Sequence, residues 1–432
     1  MIRKTPPWNR RHAVSMAVLA AGAILAGLTS CSRPGASSEK VFRVGVLGPF
    51  TGPSARTGEE FKGSVRMAFE AIGYRIGDYQ IALTWIDSQS DPQKASTAYQ
   101  EAVAREKIDA GLLNWNSSVA VSVMEITARH KIPHFFGMAA TGVVNEKYHS
   151  NPSKYGYWMA KGWPTPSKLT VGYLGALEEA IRSGHWNPRN RTAAIWGEDT
   201  DWGRAFGQAI RSQLETRGWT IHDEEYFPLG ETDFYPLLRK FKAGDASLLA
   251  GTSTAPPALS SFIKQTREVG LDALIVADGL GWVGEWYNLT GDSSDYVVDQ
   301  IPGWVTPKAM QFASDFEKKW RLKPSPAAAG LSYDYANFFI RVAARALERY
   351  GRLDNDSLYR IGQDELMTGK LSYADGIIMR TYRYTAETAP DPVVGEGAYI
   401  FPVRQYMSGR GQVLWPGAWK EADLRTPTRL RP

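Results

Sequence analysis

A strand, loop and helix that recur along the chain limit its fold more than any other feature of the sequence. The first example is residues 41–61, VFRVGVLGPFTGPSARTGEEF. Val41, Phe42, Val44, Val46 and Leu47 form a short apolar, β-branched run of the kind a strand buried on both faces requires, and Gly48-Pro49 ends it. After a Gly/Pro-rich loop, Thr57 and Glu60 have capping-box spacing, which predicts a helix starting at Thr57. Phe61, Val65, Ala68, Phe69 and Ile72 give that helix one apolar stripe to lay on a sheet. In open α/β sheets small ligands bind beyond the carboxyl ends of the strands, so residues 48–58 are expected beside a ligand.

The same alternation continues. Residues 79–86 read as a strand, Asp91 and Pro92 as the N-cap and first position of a helix reaching Lys107, and 108–113 and 132–136 as further strands. From residue 193 a second series follows, with strands at 193–196, 219–227, 247–250 and 273–277 and helices at 202–217, 234–242 and 257–269. Two series of similar order predict two similar lobes, with residues 155–166 as the first crossing between them. Long helices are expected at 308–320 and 333–350, then a β-rich tail from Leu371 with a hairpin turn at Ser408-Gly409-Arg410-Gly411.

The first thirty residues are excluded from this fold. Arg3, Lys4, Arg10 and Arg11 precede a sixteen-residue apolar run from Ala13 to Leu28, shorter than the roughly 20 residues a spanning helix needs, so the leader reads as a secretory signal. Leu28-Thr29-Ser30-Cys31 resembles a bacterial lipobox, with Cys31 as the lipidated first residue; a plain signal peptide followed by a free thiol is the alternative. Cys31 is the only cysteine, so the mature domain holds no internal disulfide and rests on its core. Residues 32–40, SRPGASSEK, suit a flexible tether. Without the four leader cations the formal charge of +5 falls to about +1, and no basic block offers itself to nucleic acid.

Val44-Gly45-Val46-Leu47-Gly48-Pro49-Phe50-Thr51-Gly52-Pro53, Asp87-Ser88-Gln89-Ser90-Asp91-Pro92, Ser117-Ser118 and Ile132-Pro133 resemble, in order and spacing, the branched-chain amino acid-binding family of ABC-transporter solute receptors. Gly197 to Gly203, Thr232-Asp233-Phe234 and Glu268 to Leu271 look like its second-lobe landmarks. The chain departs from the family pattern at Ile72 to Gly77, where a Gly-Gly-Ile-x-Gly turn is usual, and at Trp202, where Tyr is frequent.

The resemblance implies the type I periplasmic binding protein fold: α/β, two Rossmann-like lobes with parallel sheets, joined by a three-crossover hinge. The expected organisation is a signal peptide (1–30), a lipid-anchored tether (31–40), lobe 1 (41–161 and 302–385) and lobe 2 (162–301, then 386–432 with the tail). It also implies an exported monomer on the periplasmic or cell-surface face of a bacterial membrane, held by a lipid anchor beside an ABC permease. Such a receptor binds a small molecule and needs no cofactor. A branched-chain or aromatic amino acid or a related carboxylate is the expected ligand; an amide, urea or aromatic acid is the alternative, as is a ligand sensor for a membrane kinase or chemoreceptor.

Individual residues follow. Ser117 and Ser118 open a helix directly after a strand, where hydroxyls, backbone N–H groups and the helix dipole receive a carboxylate, or where the serines simply cap. By the resemblance, the Ala139 and Ala140 backbone and the Thr141 hydroxyl hold an amino acid's main-chain groups. Thr57 either touches ligand or serves its capping box. Trp202 is placed to close over the ligand, Trp115 and Tyr333 are candidate walls with Asn116 adjoining, and Asp199, Asp201 and Asp278 are candidates to meet an α-ammonium.

Three motifs are set aside. Gly279 to Gly284 fits GxGxxG after a strand, with Asp299 about 20 residues on, but bulky Trp282 and Trp286 leave a dinucleotide no room. Asp87 and Asp91 read as capping groups, not a metal pair. Pro133 breaks the helical register of His130 and His134, and no G-x-S-x-G elbow is present.

Overall fold

The computed structural model describes residues 40–427. The leader, Cys31 and most of the tether lie outside the described residues.

The first sheet contains β1 (Lys40–Gly48), β2 (Arg75–Ile76), β3 (Tyr79–Asp87), β4 (Ala110–Leu112), β5 (His134–Phe135) and β6 (Trp158–Met159) in the order β2-β3-β1-β4-β5-β6. All neighbours are parallel except β2 with β3. As its apolar run requires, β1 is central, and Val44, Val46 and Leu47 are fully buried. The Ala55–Ala71 helix lays Phe61, Val65, Ala68 and Phe69 on the sheet.

That helix starts at Ala55, not Thr57, and no capping box forms. Glu60 turns away from its own helix and caps another, accepting from Ser325 N (2.8 Å), the Ser325 hydroxyl (2.7 Å) and Ala329 N (3.0 Å). Tertiary donors outcompeted the local one, which leaves the Thr57 hydroxyl buried without a partner. Gly58 is needed here because a Cβ would lie 2.2 Å from the Pro49 carbonyl oxygen.

The second sheet contains β7 (Thr192–Glu198), β8 (Thr220–Phe227), β9 (Leu248–Thr252), β10 (Leu274–Asp278), β11 (Val298–Gln300), β12 (Val403–Met407) and β13 (Arg410–Trp415), ordered β13-β12-β11-β10-β9-β7-β8. It is parallel from β8 to β11, and the β12–β13 hairpin is antiparallel. Its turn is Ser408-Gly409, both at positive φ; Arg410 and Gly411 belong to β13. The expected β-rich tail is therefore confined to this hairpin, and residues 367–402 are irregular apart from isolated bridges such as Tyr373 to Tyr382. Asp91 caps its helix through Gln93 N and Lys94 N, and Asp87 accepts from Thr51, so both acids are engaged locally.

Three times the chain passes between sheets. It leaves β6 for the Pro166–Arg182 helix, which packs on the Asp201–Glu215 helix; it leaves β11 for the Pro307–Trp320 and Leu331–Tyr350 helices, which pack against Ala55–Ala71; and it returns to β12. The first and third passages are pinned together by a fully buried ion pair, Lys161 to Asp391 at 2.8 Å, with Lys168 also on Asp391 at 2.9 Å. Each sheet is thus the floor of one lobe, and the carboxyl ends of both point at the same cleft.

Candidate ligand-binding cleft

Within the cleft, a cavity of about 20 Å³ takes its walls from both lobes. Trp115 and Ser117 follow β4, Met138 and Ala140 follow β5, and Trp163 sits in the first passage. From lobe 2, Trp202 begins the helix after β7, Thr254 follows β9, and Trp282 follows β10. These are strand-end positions, where the backbone leaves the sheet and side chains turn toward the opposite lobe.

Trp282 packs edge to face on two of the other indoles and tilted on the third. Trp282 stands at 87° to Trp115 with centroids 5.2 Å apart, at 83° to Trp163 at 5.8 Å, and at 50° to Trp202 at 5.9 Å. Phe61 backs Trp115 at 87°. Trp202 donates its N–H to the Thr252 hydroxyl (2.9 Å), which donates to the Asp278 carbonyl (2.9 Å). The Nε1 atoms of Trp115, Trp163 and Trp282 are buried without acceptors. Among the described residues no charged side chain lines the cavity.

Carboxyl groups stand behind the walls. Glu198 accepts from the Thr254 N–H and from the hydroxyls of Thr254 (2.8 Å) and Thr200 (2.8 Å), and burial raises its pKa. Asp278 is 2% exposed and accepts from Tyr173 at 2.8 Å; burial first, and the charge of Asp299 next, hold it well above the usual carboxylate range.

Direct contacts join the lobes around this cavity. The Ser54 hydroxyl donates to the Thr254 carbonyl (2.9 Å), Asn116 Nδ2 to the Thr254 hydroxyl (3.3 Å), and Asp201 N to the Ser118 hydroxyl (3.1 Å). Arg56 forks onto both oxygens of Glu285, with Glu60 (3.0 Å) and the Lys323 carbonyl (2.9 Å) as its other partners. Burial raises the Glu60 pKa to about 7 against the opposing pull of Arg56.

Of the residues singled out in the sequence, Trp115, Ser117, Ala140 and Trp202 meet at the cavity, and Asn116 bridges to Thr254 beside it. Ser118 and Thr141 face an outer vestibule of about 430 Å³ instead, Ser118 engaged by Asp201 and Thr141 capping the Gly142–Ser150 helix. Ala139 is buried in the core behind Ala140, and Thr57 and Asp278 lie behind the walls. Tyr333 does not line the cavity: its ring packs on Phe312 at 4.5 Å among the returning helices. Asp199 pairs with Arg204 at 2.6 Å.

Met138, Trp163, Thr254 and Trp282 were not anticipated. Strand-end position was the available signal for Thr254, and Trp282 lay inside the set-aside glycine motif. That motif's N–H groups are taken by the chain itself, since Gly279 N and Gly281 N donate to Asp299 at 3.0 and 2.8 Å.

Comparison with known proteins agrees with this architecture. Residues 41–387 match the family model described as periplasmic binding protein. Leu/Ile/Val-binding protein homolog 6 of Brucella suis is 24% identical over 232 residues, 54% of this chain and 55% of the relative, so the chain spans about half the length of that curated relative. A Rhodopseudomonas palustris ABC-transporter solute binding protein in complex with 3,4-dihydroxy benzoic acid superposes with a TM-score of 0.69 at 19% identity, over 86% of this chain and 95% of that one. A Streptococcus pneumoniae branched-chain amino acid transporter substrate binding protein in complex with isoleucine gives 0.69 at 16% identity, over 87% and 98%.

Proposed function

The chain belongs to the periplasmic binding protein family, and from that premise we propose that it is the exported, lipid-anchored solute receptor of an ABC importer, closing two lobes on one small carboxylate-bearing molecule. The observation that carries this reading is the cavity itself. It lies between two strand-end surfaces, its walls come from both lobes, and contacts such as Asp201 to Ser118 form only when the lobes meet. At about 20 Å³ it is close to one water-sized sphere, so a solute enters only when the lobes part and the indole walls rearrange around it.

The Ser117–His130 helix begins at the cavity, and its N-cap Asn116 makes no side-chain capping bond, which leaves the helix's positive end for a ligand carboxylate. Isoleucine and 3,4-dihydroxy benzoic acid, the ligands of the two structural neighbours, bracket the class: an amino-acid-like or aromatic carboxylate. Binding without chemistry is the natural reading, because Ser117 is accompanied by the Thr141 N–H and indoles, with no histidine or carboxylate among the described residues lining the cavity.

A thermal-shift screen of amino acids, N-methylated amino acids, amides and aromatic acids on the mature protein tests it. A solute at 100 times its Kd adds roughly 2.7 kcal/mol to stability. A well-folded protein whose melting no member of this panel raises would count against the receptor reading.

A further inference from the structure

The four indoles permit a narrower statement about the ligand, resting on the receptor reading above. The cavity lining is mostly apolar, the Nε1 atoms of Trp115, Trp163 and Trp282 are buried out of reach of water, and Trp202 directs its N–H to Thr252. Aromatic ring faces are electronegative and attract cations, tryptophan most strongly, and the attraction grows when the cation is desolvated.

The surrounding charge has the same sign preference. Glu198 stands behind Thr254, and the vestibule outside the box carries Glu146, Asp199 and Asp201 against Arg204 alone. The cations nearest the cleft are already paired: Arg56 with Glu285 and Glu60, Lys161 with Asp391, Arg204 with Asp199. An aromatic carboxylate centred in this box would meet electronegative faces and no counter-charge.

The acceptors decide which cation. A primary ammonium brings three N–H donors that need acceptors once desolvated. The box has two side-chain oxygens, each with one of its two lone pairs already taken, Ser117 by Thr141 N (3.4 Å) and Thr254 by Asn116 Nδ2 (3.3 Å), so they cannot meet all three N–H groups. A quaternary ammonium has no N–H to satisfy and presents only methyl groups to ring carbon. We propose that the indole box selects a quaternary ammonium, so that the solute is a betaine-type zwitterion with its carboxylate at the start of the Ser117–His130 helix. Because Trp115 comes from lobe 1 and Trp202 and Trp282 from lobe 2, the box widens or narrows with the lobe angle and closes to fit the methyl groups.

Calorimetry on the full mature chain tests this with matched probes: proline betaine against proline, glycine betaine against glycine, then choline, leucine and benzoate. The expected result is that each betaine binds at least tenfold tighter than its own parent amino acid, and tighter than choline, which lacks the carboxylate. Trp282→Leu should weaken betaine binding at least tenfold while Trp282→Phe, which keeps a ring face, weakens it less; the wild-type comparison stands if either variant misfolds. Parents binding as well as their betaines, or leucine or benzoate binding where betaines do not, would overturn the indole-box proposal and leave the receptor reading in place. Failure of every probe on a folded protein would overturn the indole-box proposal, and the wider thermal-shift panel then decides the receptor reading.

Discussion

The fork between Arg56 and Glu285 is a charged contact between the lobes, and its removal has a calculable effect. The two side chains are 17% and 21% exposed, between an open surface pair, worth 0 to about 1 kcal/mol, and a buried pair whose disruption costs about 3–5 kcal/mol. Glu285→Gln leaves Arg56 its bonds to Glu60 and the Lys323 carbonyl, so the guanidinium is not stranded. A loss of about 2 kcal/mol from the closed form is expected, roughly thirtyfold in the closing equilibrium. Where the free protein rests open, this appears as a Kd about thirtyfold higher for every solute by the same factor, because the residue acts on closure and touches no ligand. Where it rests closed, it appears as a larger radius of gyration in solution scattering. Calorimetry on two dissimilar ligands, scattering of the free protein, and a cycle with Arg56→Gln measure it. Unchanged Kd together with unchanged scattering, or a factor that differs between ligands, would refute the clasp.

Other expectations are simpler to check. Glu60 is protonated more readily folded (pKa about 7) than unfolded (4.5), so the stability it contributes is fully present below pH 4.5 and is lost as pH rises through 7, by about 3 kcal/mol at most; Glu60→Gln should flatten that part of a pH series of urea melts. Lys161→Met strands Asp391 with Lys168 and should cost about 3–5 kcal/mol in the same assay. Thr252→Val leaves the buried Trp202 N–H without its acceptor and should cost about 1–3 kcal/mol. Cys31→Ser should abolish palmitate labelling and release the protein from membranes, since several acyl chains anchor at about 0.8 kcal/mol per buried CH₂; a variant that still sediments with membranes would contradict the lipobox.

Legibility in the sequence followed the range of the interactions. β1 and its helix stripe could be read because burial on both faces leaves a continuous apolar run, and the Asp91 cap because the N–H groups that donate to it are two and three residues away. Glu60 was misplaced for the opposite reason: its partners are 265 and 269 residues off, and no local spacing records them. At the site, Ser117, Ala140 and Trp202 were accessible because they occupy strand ends. Trp163 and Trp282 were hidden among fifteen tryptophans, since a wall of the cleft and a core packing residue have the same composition and differ only in which lobe they face. Tyr333 illustrates the converse, an aromatic on a long amphipathic helix that met Phe312 instead of the cleft.

The closing hairpin β12–β13 also governs the order in which the molecule can be completed. Trp415, in the last strand, packs against the Pro166–Arg182 helix, where a Cβ on Gly175 would come within 2.9 Å of its Nε1, and β12 covers an edge of β11 that is three residues long. A chain emerging amino end first therefore has more than two hundred residues between that helix and the strand that seals it. Lobe 1 is likewise unfinished until the Leu331–Tyr350 helix arrives to cover Ala55–Ala71. Neither half is a contiguous stretch able to fold as it appears, so a truncation anywhere before residue 403 exposes the edge of β11, and newly made chains remain dependent on protection from aggregation until the β12–β13 hairpin is out.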